Sequence, residues 1–361
     1  IMGILTEATN PYGQLYPYEN AMYMEAGNLF GIMERELDSL IFFQGRYRDF
    51  GYDADVVDHE FTHAVVATVV GFPGLFLHQR DSQGMHQLAY AMNEAYADFF
   101  PAAFFDDAHL GEYALEARHI TESRDLAARP RHTCPERLMN EPHWDSAPYS
   151  EALWEIREAL DAAAFERAAL AALATLPINA SFREAAEATV AAVDSELGAP
   201  AAATAAGIFA QYGYDDENPC ERVIDLSSDA THERLQLFSR ETPAFVLDPF
   251  APSLVQYSYE LPAGARQIRV RWQKGQSFDP SSMMGGGESQ PALLVRFGGP
   301  IEFSTEGEVT TNADVRIDAP EDDPDLANGR RISYHEGGDE LAEGTYHLMV
   351  VNLDTGVDGL L

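Results

Sequence analysis

The chain has 361 residues, enough for two or three domains that each bury a core. Its 46% hydrophobic content is that of an ordinary globular protein. No run of about 18 or more apolar residues marks a membrane span. The formal net charge of −36 argues against nucleic acid and anionic membrane as partners, because phosphate contacts need clustered Lys and Arg.

Residues 1–50 are aromatic and irregular. Within them Glu19 to Leu37 reads as a helix and Ser39 to Phe43 as a strand. Residues 55–70 read as a largely apolar helix that Gly71, Pro73 and Gly74 end. It carries His59-Glu60-Phe61-Thr62-His63. Two histidines four apart lie on one helical face and can each present a ring nitrogen to one Zn²⁺ at about 2.0–2.1 Å. Glu60 is rotated off that face and can take the proton of a water at the metal.

Residues 75–86 read as a loop holding His78 and His86, which as lone loop histidines read as solvated, with a ligand role as the alternative. Residues 87–105 read as a helix containing Met92-Asn93-Glu94-Ala95-Tyr96-Ala97-Asp98. Glu94 and Asp98 share a face of an otherwise apolar segment. A catalytic zinc keeps three protein ligands and one open position, and Glu94 is the candidate third ligand. Asp98 can stand behind a liganding histidine and accept its other N–H.

His59 to Val65 (His-Glu-Phe-Thr-His-Ala-Val), followed by Asn93 to Asp98 (Asn-Glu-Ala-Tyr-Ala-Asp), resembles the thermolysin-type zinc endopeptidases, with the related fungalysins close behind. The resemblance implies zinc on His59, His63 and Glu94, with Glu60 as general base. It also implies that Asp98 orients His59 and Asn93 orients His63. Asp55 matches a position that often binds calcium in that family, and Asp106, Asp107 and Glu112 are its companions unless they form an ordinary acidic turn. His143-Trp144-Asp145-Ser146 resembles the family's histidine-x-Asn-Ser stretch. That gives His143 as donor to the oxyanion, with Asp145 in place of the usual Asn. Arg124 resembles the arginine that holds the substrate carbonyl on the leaving-group side, with Arg118, Arg129 and Arg131 as competitors. The stretch from His63 to Glu94 is longer than in thermolysin, so 75–86 reads as an insertion. The family's oxyanion-assisting tyrosine has no counterpart there, nor is its substrate-aligning edge strand placed in the short or trimmed N-terminal lobe.

Residues 147–213 read as three Ala-rich helical segments separated at Leu176-Pro177 and at Leu197 to Pro200, with Phe209, Tyr212 and Tyr214 as core or bundle-end residues. After Asn218-Pro219-Cys220 the character changes to short β-like runs: Gln267–Trp272, Ala292–Phe297 and Thr345–Val351. Gly285-Gly286-Gly287 lies in a flexible loop between them. This pattern reads as an antiparallel sandwich and resembles the pre-peptidase C-terminal sandwiches of secreted bacterial proteases. Cys134 and Cys220 fit one disulfide in an oxidising compartment, or else two buried thiols.

The expected fold class is an α+β thermolysin-like metallopeptidase domain over 1–219, with a mainly helical C-terminal lobe, followed by an all-β antiparallel sandwich over 220–361. The expected function is a secreted or periplasmic zinc endopeptidase acting on proteins or peptides, its signal and any pro-segment absent from the chain. The competing expectation is a binding protein that recognises protein or glycan through the sandwich, with a vestigial peptidase half. The intact set of His59, Glu60, His63, Glu94, Asp98 and His143 weighs against it.

Overall fold

The computed structural model describes residues 2–5, 8–9, 15–16, 20–29, 33–35, 37–43, 48–72, 79–116, 124–214, 220–226, 235, 237–238, 248–273, 290–318, 320–325, 329–335 and 340–353. His78, Arg118 and the 285–287 loop lie outside them. The chain divides into two compact units, both mixed from helices or strands of different parts of the sequence. One comprises residues 1–73, 88–133 and 146–220, the other residues 74–87, 134–145 and 221–361. Among the described residues no helix is long and apolar enough to cross a membrane. Both cysteines, Cys134 and Cys220, are disulfide-bonded, which removes the thiol alternative.

The first unit opens with a three-stranded sheet. Ser39–Phe43 is its centre, parallel to Met2–Leu5 and antiparallel to Ala21–Met24. The central strand is apolar along its length because both faces are covered: Phe42 packs with Ala21, Phe50 and Ala114, while Ile41 and Phe43 pack with Met24. The helix expected over Glu19 to Leu37 is not there. Ala21–Met24, Gly27–Leu29 and Met33–Arg35 are strands instead. Met, Glu and Ala favour a helix locally, but pairing with Ser39–Phe43 buries Ala21 and Met24, and Gly27 weakens any helix through this stretch.

Helix α1 spans Ala54–Val69, and α2 spans Leu88–Phe105, packed along it. A short α3 follows at Glu112–Glu116. After the brief α4 of the other unit (Pro142–Asp145), α5 spans Ala147–Ala159, α6 Ala162–Leu173, α7 Phe182–Leu197 and α8 Ala199–Gln211. There are thus four helices where the sequence reading has three. The missed break is at Leu160-Asp161, which carries no Gly or Pro. Asp161 ends one helix's reach by capping the next, accepting the N–H of Ala164 at 2.9 Å. Tyr149 centres this bundle, stacked on Phe182 and Phe209, with its hydroxyl 3.1 Å from Thr189 Oγ1.

In the second unit a mixed sheet runs in the order Val223–Asp225, Gln256–Leu261, Gly344–Asn352, Pro291–Phe297, Val315–Ile317. A separate antiparallel sheet joins Ile268–Gln273, Gly329–Tyr334 and Glu321–Asp323. Leu293, Val295, Tyr346 and Leu348 share a core with Ile268, Ile332 and Tyr334 of that second sheet. The alternate side chains Ala292, Leu294, Met349 and Val351 enter a different core with Phe250, Ile301 and Met85. Two buried faces explain why Gly344–Asn352 shows no polar alternation. The sheets are not wholly antiparallel as expected: Val223–Asp225 runs parallel to Gln256–Leu261. Residues 226–255 between them exceed the dozen or so that a parallel connection needs.

Met85 comes from the stretch read as a loop. Gln79–Asp81 and Gly84–His86 form a hairpin, its turn closed by Asp81 Oδ1 accepting the N–H of Gln83 at 2.9 Å. Gly84 lies at φ +132°, and a Cβ there would stand 2.4 Å from the Ser253 carbonyl oxygen. Gly84→Ala is therefore expected to cost about 1–3 kcal/mol, read as a lower urea midpoint. An unchanged midpoint would rule out this close docking.

Candidate metal centre

The centre is built on the start of α1. Asp53 caps the helix, accepting the N–H groups of Asp55 at 3.2 Å and Val56 at 3.4 Å. Its second oxygen takes the N–H of Ala114 at 2.8 Å, tying α3 to the same point. One turn further on, His59 and His63 stand edge to face, ring centroids 4.6 Å apart, with their Nε2 atoms 3.1 Å apart. α2 is buried on almost every side, so its polar residues face protein rather than water. It supplies Glu94, 1% exposed, whose carboxylate oxygens lie 3.4 Å from His59 Nε2 and 3.6 Å from His63 Nε2.

The outer nitrogens are held as well. His63 Nδ1 lies 3.0 Å from Asn93 Oδ1 and His59 Nδ1 lies 3.0 Å from Asp98 Oδ1. Each ring therefore has its Nε2 turned towards the other ring and Glu94. Burial opposes charge on His59, but the Asp98 and Glu94 carboxylates outweigh it and raise its pKa to about 10. Burial dominates at His63 and lowers its pKa. Burial works against the Asp98 carboxylate too, yet Arg124 and His59 hold it below the usual range.

The donor set fits a zinc ion. In a tetrahedral site with bonds of about 2.0–2.1 Å, neighbouring ligand atoms are about 3.3–3.4 Å apart. The two Nε2 atoms are 3.1 Å apart, and each has a different Glu94 oxygen near that distance, Oε2 at 3.4 Å from His59 and Oε1 at 3.6 Å from His63. Two imidazoles and one carboxylate are a donor set that zinc accepts. Among the described residues, no fourth His, Cys, Asp or Glu joins the group of His59, His63 and Glu94. Glu60, 7% exposed, follows His59 on α1 and is outside that group.

Arg124 stands with these residues, on a two-residue strand paired with His109–Leu110. Its Nη1 contacts Asp98 Oδ1 and lies 3.5 Å from His59 Nδ1 and 3.9 Å from Glu94 Oε2. Two of its sequence competitors are engaged elsewhere: Arg129 and Arg131 both bind Glu155, Arg131 through two bonds of 2.9 and 2.7 Å. His86, at the end of the hairpin in the other unit, lies 3.6 Å from Asp81.

His143 belongs to α4 in the second unit. Its Nδ1 lies 2.6 Å from Glu141 Oε1, a partner two residues away that the sequence reading passed over. Asp145, 1% exposed, accepts the N–H of Met139 at 2.7 Å on one oxygen and that of Asn140 at 3.1 Å on the other. A single amide oxygen could not take both in this way, which is a local reason for Asp in place of Asn. Burial keeps its carboxyl well above the usual range.

The acidic residues near α3 are dispersed in their tasks. Asp55 Oδ2 accepts the N–H of Gly111 at 3.1 Å, and burial, with Asp53 and Glu112 close by, raises its pKa to about 6. Asp106 is bound by Arg157 at 2.8 Å. Asp107, His109 and Glu112 can bring one ligand atom each within 4.8 Å of the others. Calcium has no support beyond this acidity.

No family model matches the chain, and no curated protein matches it. Among solved structures, the precursor of protealysin, a metalloproteinase from Serratia proteamaculans, is similar to this chain at 19% sequence identity with a TM-score of 0.40. The match covers 49% of this chain and 63% of that one, so the chain spans less than two thirds of the matched structure. At that TM-score the likeness adds nothing to what the side chains show.

Proposed function

We propose that this chain is an exported zinc-dependent endopeptidase that hydrolyses peptide bonds in proteins or peptides. What supports this reading is one observation: two imidazole nitrogens and a buried carboxylate at zinc-like separations, with no fourth donor among the described residues. A structural zinc site is closed by four protein ligands, whereas a catalytic one keeps a position for water or substrate.

His59, His63 and Glu94 would hold the ion. When bound, zinc supplies a Lewis acid that polarises a carbonyl and acidifies water. Glu60 takes a proton from water on a carboxylate oxygen and returns it to the leaving amine. Asn93 and Asp98 keep the two rings turned so that Nε2, not Nδ1, is offered. His143, whose Nδ1 lies 2.6 Å from Glu141 Oε1, is the proposed donor to the developing oxyanion. Asp55 and calcium remain a proposal of the resemblance alone. A disulfide between Cys134 and Cys220 suits an oxidising compartment outside the cytosol.

Casein hydrolysis is expected to stop when a chelator strips the protein and to return when zinc is added back. Hydrolysis that ignores the chelator would overturn the metal reading. A protein that binds one zinc yet cleaves neither casein nor short peptides would favour the binding-module alternative.

A further inference from the structure

We infer that the second unit carries an acid-sensitive latch: its large sheet tolerates only a neutral His347 beside Arg296, and protonation of that ring loosens the unit in mild acid. The inference needs nothing from the zinc reading. His347 lies on Gly344–Asn352, a strand paired on both sides. Ser258 stands opposite it on Gln256–Leu261, and Arg296 opposite it on Pro291–Phe297. Side chains paired in this way start about 4.5–5.5 Å apart. Along its own strand His347 shares a face with Thr345 and Met349, and Met349 packs with Leu294 in a buried core.

The residue is 9% exposed, and its Nδ1 is buried with no hydrogen-bond partner among the described residues. A neutral imidazole can leave that nitrogen as a bare acceptor, but an imidazolium carries a hydrogen on both nitrogens. Protonation would bury a cationic donor with nothing to accept from it, next to a guanidinium of the same sign. Among the described residues no carboxylate is paired with His347 to offset this. Arg296 has none either, and gives an Nη1 hydrogen to the Pro300 carbonyl at 2.5 Å. The acids on or beside the neighbouring strands have other tasks. Glu260 accepts the Thr345 hydroxyl at 2.7 Å, Asp314 the N–H of Phe297 at 2.9 Å, and Asp318 two bonds from Arg316 at 2.7 and 2.9 Å. Burial, and then Arg296, hold the His347 pKa below its ordinary value.

In the unfolded chain His347 titrates near the ordinary value of about 6.5. Above that pH neither state binds the proton, and the group has no effect. As pH falls through about 6.5 the unfolded chain takes up a proton that the folded unit refuses, so stability falls. The loss continues down to the folded pKa. One proton sets its limit: the opening equilibrium rises by at most about tenfold for each pH unit. Arg296→Glu reverses the sign, because a carboxylate across the strands favours the imidazolium.

The experiment follows the His347 ring by NMR in the full chain between about pH 8 and 5, the range in which histidine changes charge. Hydrogen-exchange protection of the Gly344–Asn352 amides, corrected for the intrinsic pH dependence of exchange, is read alongside. The proteins are the wild type, His347→Gln, Arg296→Gln and Arg296→Glu. In the wild type His347 is expected to titrate below about 6.5, higher in Arg296→Gln, and above about 6.5 in Arg296→Glu. Protection in the wild type is expected to fall with pH more steeply than in His347→Gln, by up to about tenfold per pH unit. That variant cannot take up the proton, so the difference between the two cancels the other histidines. A wild-type pKa at or above about 6.5 would overturn the proposal. An equal fall in protection in the wild type and His347→Gln would overturn it too. Should His347→Gln fail to fold, the ring titrations decide alone, and a pKa that ignores both Arg296 variants refutes the latch. Failure of the latch leaves the peptidase reading untouched, since neither zinc nor casein enters the measurement.

Discussion

Replacing Glu60 by glutamine is expected to cut peptide hydrolysis by about 10²- to 10⁴-fold while zinc binding persists, the range that a positioned acid–base group typically contributes. The argument rests on what the residue does not do. Glu60 is next to His59 in α1 but outside the group of His59, His63 and Glu94, so its loss removes no ligand. Glutamine keeps the shape and the polarity of a side chain that is 7% exposed, which limits any packing penalty. What it cannot do is take up a proton and release it. Measured kcat should fall while zinc content stays at one per chain. Undiminished turnover would refute the general-base assignment, and loss of zinc together with turnover would make Glu60 a structural residue.

The second large effect concerns Glu94. In Glu94→Ala two histidines remain, with no anion to balance a divalent cation. The drop in zinc affinity is expected to exceed the roughly 100-fold that bounds the loss of an outer partner. Helix α2 should survive, because alanine is the best helix former and the segment already holds Ala91, Ala95 and Ala97. Competition with a chelator, together with a far-UV spectrum, tests both halves of that statement. Retained tight zinc binding would mean that the third ligand lies elsewhere.

Much of the centre was legible because its spacing is local. His59 with His63, and Glu94 with Asp98, are each four apart, and helix geometry alone sets each pair on one face. The bounds of α1 were legible for the same kind of reason, since Gly71 and Pro73 punctuate it. Contacts between distant segments were not. Nothing in the sequence says that Arg124 meets Asp98, or that the loop-like run after Pro73 contains a hairpin whose Met85 packs in one core with residues more than 150 positions later, such as Phe250 and Met349. The stretch Glu19 to Leu37 misled for a physical reason: its side chains favour a helix singly, but the strand Ser39–Phe43 offers pairing that local preference cannot register. The parallel pairing of Val223–Asp225 was likewise hidden, because alternation reveals a strand but not the direction of its neighbour.

The hairpin of Gln79–His86 has a practical consequence. Composition suggests cutting the chain near Cys220, yet Arg222, 2% exposed, finds its carboxylate on Asp81 at 3.0 Å, and Met85, fully buried, packs in a core whose other buried members all lie beyond 237. A fragment starting at 221 would leave a buried guanidinium with no counter-ion and a hole the size of a methionine, and one ending at 220 would leave that methionine in water. Each half expressed alone is therefore expected to be less stable than the whole polypeptide, read as a lower urea midpoint.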